Sequence, residues 1–231
     1  RTLRHPVAQP AQIERCNKRM ANSLSNGHKS PRRQGSASCS SYCSLGMRWK
    51  ESRTGCPAFL SKFIVIVRYN NIKQIITIQH TQSIHHINGM VGSWTDWDLS
   101  ELGIEQAERI GQNLAKQLSG HKIVMYASDL LRAKHTAEIV AKHMGITPNI
   151  RTELRERNLG KCVGKSVQWL RENIEVQEKT IDDRMFSDAE SRRDEWNRLK
   201  PLFDEIMASN DECIIVVSHG DLLSVWNTMF F

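Results

Sequence analysis

The sequence predicts an α/β fold, a three-layer sandwich with a mainly parallel central sheet, and three observations carry that expectation. Short apolar segments of strand character alternate with longer segments of helical period from Lys73 onward. The segment from Cys213 to Val217 is apolar at every position, the pattern of a parallel strand covered on both faces. No internal repeat points to a solenoid or propeller instead.

The elements follow in order. Ile75 to Ile78 reads as a short buried strand. Ser100 is a helix N-cap, followed by the apolar stripe Ala107, Ile110, Leu114 and Leu118 and closed by Gly120. Ile123 to Tyr126 is a second strand, after which Ser128 can cap a helix through Ala133, Ala137, Val140 and Met144, with Gly145 just beyond it. Gly160 to Ser187 is polar and poorly periodic and reads as an insertion or lid. A further helix runs through Trp196, Leu199, Phe203 and Ile206, with Pro201 expected to kink or break it. Leu222, Leu223, Val225 and Trp226 open a last helix after the Cys213 strand.

Composition bounds what such a chain can be. At 231 residues, 39% hydrophobic and 25% charged, it supports one compact core. No apolar run exceeds five residues, as in Phe63 to Val67, far short of the ~20 that a membrane-spanning helix needs. The formal charge of +7 is unevenly placed: residues 1–70 hold 13 Lys and Arg against 2 Asp and Glu, and residues 71–231 hold 19 against 23. Residues 1–71 therefore read as a basic, disordered extension rich in Ser, Arg, Gly and Cys, with the folded domain over 72–231. A nucleic-acid-binding arm is the rival reading of that segment, and no nucleic-acid or membrane partner is expected. Its four cysteines do not make a zinc site, because only Cys39 and Cys43 have ligand-pair spacing. Cys162 and Cys213 are isolated thiols, which fits a reducing cytoplasm.

Chemistry gathers at strand ends. Ile75-Ile76-Thr77-Ile78 runs into Gln79-His80, and Ile214-Ile215-Val216-Val217 runs into Ser218-His219-Gly220. Open parallel sheets bind ligands beyond the carboxyl ends of their strands, so two histidines so placed can converge in one crevice. Arg132 falls within the first turn or so of its helix, where a cation opposes the dipole unless an anion docks there. Gly160 to Ser166 ends like a phosphate-binding loop, but three residues separate its glycines where four are needed and no apolar strand precedes it, which excludes a nucleotide hydrolase. His80, His85 and His86 invite a metal, yet no carboxylate or Cys at helical spacing completes a site, so no metal and no cofactor are expected.

With these residues in view, the chain over about 73–231 resembles the histidine phosphatase superfamily, which includes the phosphoglycerate mutases. Six segments match in order: Gln79-His80-Thr81 for Arg-His-Gly; Asp96 to Gly103 for Asp-x-x-Leu-Thr-x-x-Gly; Ser128 to Ala137 for Ser-x-Leu-x-Arg-Ala-x-x-Thr-Ala; Leu154 to Gly160 for Leu-x-Glu-x-x-x-Gly; Ala189-Glu190-Ser191 for Gly-Glu-Ser; and Ser218-His219-Gly220 for Ser-His-Gly.

The resemblance implies a phosphatase acting on a small phosphate monoester through a phosphohistidine, without a metal. His80 is the implied nucleophile, its other ring nitrogen held by a hydrogen bond. Arg132 and His219 are implied to hold the phosphate oxygens and Glu156 to protonate the leaving group. Glu156 must then be kept protonated near neutral pH although Arg155 and Arg157 flank it, which requires those neighbours to face away.

The departures shape the expectation as much as the matches. Gln79 stands where the family has Arg, Thr81 where it has Gly, His86 where a phosphate-contacting Asn is frequent and Met90 where many members have another Arg. Gln79 and His86 are the remaining phosphate-binding candidates, and His85 and His86 can restore positive charge only if protonated. Phosphoglycerate mutase-type transfer and a weakly active or inactive phosphate-binding regulator are the alternative functions. The chain ends at Phe231 where family members continue, so the domain is expected to lack its C-terminal end. Substrate and oligomeric state are not legible.

Overall fold

The structure is a computed structural model that describes residues 64–69 and 73–230. Five strands, β1 (Ile64–Tyr69), β2 (Lys73–Gln79), β3 (Ile123–Ala127), β4 (Asn149–Ile150) and β5 (Cys213–Ser218), form one sheet in the order β1-β2-β5-β3-β4. β1 is antiparallel to β2, and every other pairing is parallel. Among the described residues six α-helices accompany them: α1 (Ile84–Asn88), α2 (Glu101–Gln117), α3 (Leu131–Met144), α4 (Val167–Asn173), α5 (Arg192–Ala208) and α6 (Gly220–Thr228).

Side-chain alternation along the strands builds the three expected layers. Ile76 and Ile78 of β2, with Ile215 and Val217 of β5, meet Ile110 and Leu114 of α2 and Ala137 and Val140 of α3. Ile75, Ile214 and Val216 face the other way, onto Leu199, Leu202 and Phe203 of α5 and Trp226 of α6. Cys213 through Ser218 are all buried, as the uninterrupted apolar run of the central strand requires.

Two expectations are corrected. The boundary at Ile72 moves upstream, because Ile64–Tyr69 pairs along β2 from Ile64 opposite Ile78 to Tyr69 opposite Lys73, and Ile64 packs against the α2–α3 layer. Residues 1–63, which carry the basic arm and the cysteine pair, lie outside the described residues. Pro201 does not break its helix, since α5 continues from Arg192 to Ala208 around it. The Gly160 to Ser187 segment contains α4 and a 3₁₀ turn at Gly160–Cys162, packed around Cys162 and Phe186.

One close approach positions the loop after β2. The Ser100 hydroxyl caps α2 by accepting from Gly103 N at 3.0 Å and donates to Gln82 Oε1 at 2.7 Å, while Ser100 N donates to Gln82 O at 3.0 Å. A Cβ on Gly103 would lie 1.9 Å from the Gln82 carbonyl oxygen, so only glycine lets α2 dock here. Gly103→Ala is expected to destabilise the chain by at least about 2 kcal/mol in urea unfolding; a change within about 0.5 kcal/mol would contradict this packing.

Candidate active site

The register of β2 and β5 places Gln79 opposite Ser218, so the residues that follow, His80 and His219, leave the sheet side by side. Their ring centroids lie 5.2 Å apart in an edge-to-face arrangement, with both side chains buried. The strand on the other side of β5 is β3, and the helix after it brings in Arg132.

His80 is fixed at both nitrogens. Its Nδ1 lies 2.8 Å from the Thr81 carbonyl oxygen, an acceptor only, so Nδ1 carries the proton. Its Nε2 then has a free lone pair, which accepts from Arg132 Nε at 3.2 Å. Burial first, and Arg132 second, hold the His80 pKa well below the usual imidazole range, so the ring is neutral at physiological pH. Thr81, in the position where a smaller residue was expected, is accommodated: its N–H donates to the Thr136 hydroxyl on α3 at 3.2 Å.

Arg132 is almost fully buried and points into the site. Its Nη1 donates to Thr95 O and its Nη2 to Ser93 O, each at 2.8 Å. Burial lowers its pKa to about 10, which still leaves it charged at neutral pH. Ser93 presents its carbonyl from a left-handed backbone conformation, φ 36°, that costs a non-glycine residue about 1–3 kcal/mol. Two hydrogen bonds hold it there: Ser93 Oγ donates to Arg157 O at 2.8 Å and accepts from Leu159 N at 2.9 Å. The exposed start of α3 already meets an anion of the chain itself, Asp96, whose Oδ1 accepts from Leu131 N at 3.4 Å. Ser128 does not cap α3, whose N-cap is Leu130. Its hydroxyl instead lies 2.9 Å from His219 Nε2. His219 Nδ1 is buried and has no hydrogen-bond partner among the described residues.

Glu156 lies on the opposite wall. Its Oε1 accepts from Arg157 N at 3.0 Å and from Leu222 N, in the first turn of α6, at 3.2 Å. Those bonds and Arg132 favour the carboxylate, but burial and the charge of Asp221 outweigh them and push the pKa up to about 7. The flanking arginines face elsewhere, as the site requires: Arg155 clasps Asp129 at 2.6–3.1 Å, and Arg157 pairs with Glu178. Trp94 braces the segment by donating Nε1–H to Glu156 O at 2.6 Å.

Gln79, His80, His86, Arg132 and Glu156 thus line one cleft of about 290 Å³, with His219 packed against His80. The same cleft is walled by His85 and Asp221. His86 stacks on His80 with centroids 5.5 Å apart and accepts at Nδ1 from Ser83 N at 3.1 Å. Burial and Arg132 lower its pKa, so it brings a neutral ring. Ring nitrogens of His80, His85 and His86 lie within 4.8 Å of one another, close enough to receive a metal ion.

The comparisons with known proteins decide what this arrangement belongs to. Residues 75–228 match the model of the histidine phosphatase superfamily, branch 1. The chain belongs to that superfamily. It is 30% identical over 159 residues to a 2,3-bisphosphoglycerate-dependent phosphoglycerate mutase of Nitrobacter hamburgensis, covering 64% of this chain and 76% of the mutase. It is 29% identical over 170 residues to a glucosyl-3-phosphoglycerate phosphatase of Mycolicibacterium vanbaalenii, covering 66% and 72%. The fold is shared with a phosphoglycerate mutase structure from Bacillus anthracis at a TM-score of 0.59 and 24% identity, over 67% of this chain and 78% of that one.

Within this member of the histidine phosphatase superfamily the sequence reading missed four contributors. Ser128 was taken for a cap; its position at the end of a strand neighbouring β5 was the available signal. The Ser93 and Thr95 carbonyls and Asp221 carry no side-chain motif. His85, named with His86 as a source of positive charge if protonated, is buried, with Nδ1 2.9 Å from Ser83 Oγ.

Burial, then His86 and Arg132, bring the His85 pKa down to about 3. Below about 6.5, the ordinary value, the folded chain therefore binds fewer protons there than the unfolded chain, and stability falls as the pH drops. Between pH 7.5 and 5.0 the native chain is expected to lose about 1–2 kcal/mol more than His85→Gln in urea unfolding. Equal losses would show that His85 is solvated in the folded state.

Proposed function

We propose that this chain is a phosphatase that hydrolyses a small phosphate monoester through a phosphohistidine on His80. The observation that carries this reading is the His80 tautomer: Nδ1 is tied to the Thr81 carbonyl, which leaves the Nε2 lone pair beside Arg132. Nε2 attacks phosphorus, the bond from phosphorus to the alcohol oxygen breaks, and Glu156 gives its proton to the departing alkoxide. Water then attacks the phosphohistidine, its proton passes to the Glu156 carboxylate, and the P–N bond breaks to release phosphate. Arg132 and His219 hold the non-bridging oxygens, where charge and donors matter most in the loose transition state. His86 and the Gln79 amide complete the phosphate contacts, and none of these steps calls on a metal.

The similarity to a phosphoglycerate mutase supports a second reading, return of the phosphoryl group to a sugar acid in place of water. Measuring phosphate release against isomer formation separates the two. The uncharged Gln79 supports a third reading, a pocket with little or no turnover. A charge-assisted contact is worth ~1.5–3 kcal/mol, so Gln79→Arg is expected to raise turnover ten-fold or more, and no gain would mean that the pocket is not short of charge.

Rapid quenching with a reactive phosphoester is expected to trap an acid-labile, base-stable phosphoryl group, lost in His80→Ala. Its absence from the native chain would overturn the mechanism. Turnover is expected to decline as pH rises through about 7, because Glu156 must carry a proton to act as acid. Glu156→Gln is expected to lower kcat by ~10²–10⁴-fold and to remove that limb, and a retained limb would assign it to another group.

A further inference from the structure

Beyond the phosphate subsite, the wall of the cleft is short of positive charge. Among the described residues that line it, Arg132 and Arg157 are the only Lys or Arg. Arg157 is fully buried and spent: its two terminal nitrogens pair with Glu178, its Nε donates to Glu190 O at 2.8 Å, and the buried Glu195 lies 3.9 Å away. Two nearby cations are matched as well, Arg155 by Asp129 and Arg198 by Glu190. One guanidinium, Arg132, therefore faces a phosphate that brings up to two negative charges.

The remaining polar wall is acidic. Asp221, half-exposed at the start of α6, lines the cleft beside Glu156 and is held by Arg192 at 3.2 Å. Arg192 also serves Glu195 at 2.9 Å. A carboxylate on the leaving group would add a further negative charge next to Asp221, with no unpaired cation among the described lining residues to receive it. Hydroxyl groups, in contrast, would donate hydrogen bonds to Asp221 and to the carbonyl-rich edge at Ser93.

We infer that the alcohol part of the substrate is uncharged and hydroxyl-bearing, a sugar or polyol phosphate, and that the cleft discriminates against phosphate esters that carry a carboxylate. This rests on the phosphatase reading above and narrows its substrate class. It also opposes the mutase reading, whose sugar acid is a carboxylate.

The test uses the full chain and two esters that differ at one carbon, glycerol 3-phosphate with a hydroxymethyl group and 3-phosphoglycerate with a carboxylate. Phosphate release is expected to give a kcat/KM at least about ten-fold higher for glycerol 3-phosphate, as one unmatched charge in a partly desolvated cleft implies. A ratio near one, or in favour of phosphoglycerate, overturns the inference while leaving the phosphatase reading standing. Asp221→Asn removes the repelling charge and frees Arg192, so it is expected to narrow the ratio about three-fold or more; an unchanged ratio overturns the role given to Asp221. Cleavage of neither ester would count against the phosphatase reading, and calorimetric binding of the same pair then decides the charge preference. Tighter glycerol 3-phosphate upholds it, and equal or tighter phosphoglycerate refutes it.

Discussion

The parallel pairing of β2 with β5 is the constraint on which the site depends. Gln79 lies opposite Ser218, and His80 N donates to Ser218 O at 2.9 Å just beyond the last paired residues. A slip of one residue would turn Ile75, Ile76 and Ile78 to the wrong layers, so the two cores on either face enforce the register that the histidines need. Because β3 flanks β5 on its other side, Ser128 and Arg132 arrive at the same end of the sheet. Residues that are distant in the chain become neighbours because three strands point their carboxyl ends at one place.

Desolvation then sets the chemistry. It works in opposite directions on the two kinds of group, keeping His80 and His219 neutral and pushing Glu156 toward its protonated form. For Glu156 the competition is explicit: two backbone N–H groups and Arg132 favour the anion, and burial together with Asp221 prevails. For the imidazoles burial and Arg132 act together. Under the proposed phosphohistidine mechanism, a nucleophile that needs its lone pair and an acid that needs its proton are both served by one poorly hydrated cleft. The strained Ser93 is part of the same construction, since its carbonyl helps to orient the buried Arg132 guanidinium.

Most of this architecture was legible because its signals are local. Cys213 to Val217 announces a doubly covered strand, Ser100 caps the helix that it precedes, and a histidine after each buried strand marks the sheet's functional end. What was not legible depends on tertiary context. Ile64–Tyr69 carries an apolar run, but the surrounding composition placed it with the basic segment, and only pairing with β2 reveals it as an edge strand. β4 is two exposed residues and α1 is one short turn after Ser83, too brief for any period. The charge state of Glu156 ran against its sequence neighbours, because Arg155 and Arg157 find Asp129 and Glu178 only in the folded chain. Likewise the positive charge that His85 and His86 could have supplied is absent from the free cleft, since burial beside Arg132 keeps both rings neutral.

The central claim is that His80 offers Nε2 to an anion gripped by Arg132 and His219. A crystal structure of the full chain with vanadate tests it most directly, because vanadate adopts the five-coordinate geometry of a phosphoryl group in transfer. The account predicts vanadium bonded to His80 Nε2, with Arg132 and His219 within hydrogen-bond distance of its equatorial oxygens. Vanadate bound away from His80, or a structure in which the two imidazoles and the guanidinium do not share one cleft, would contradict it.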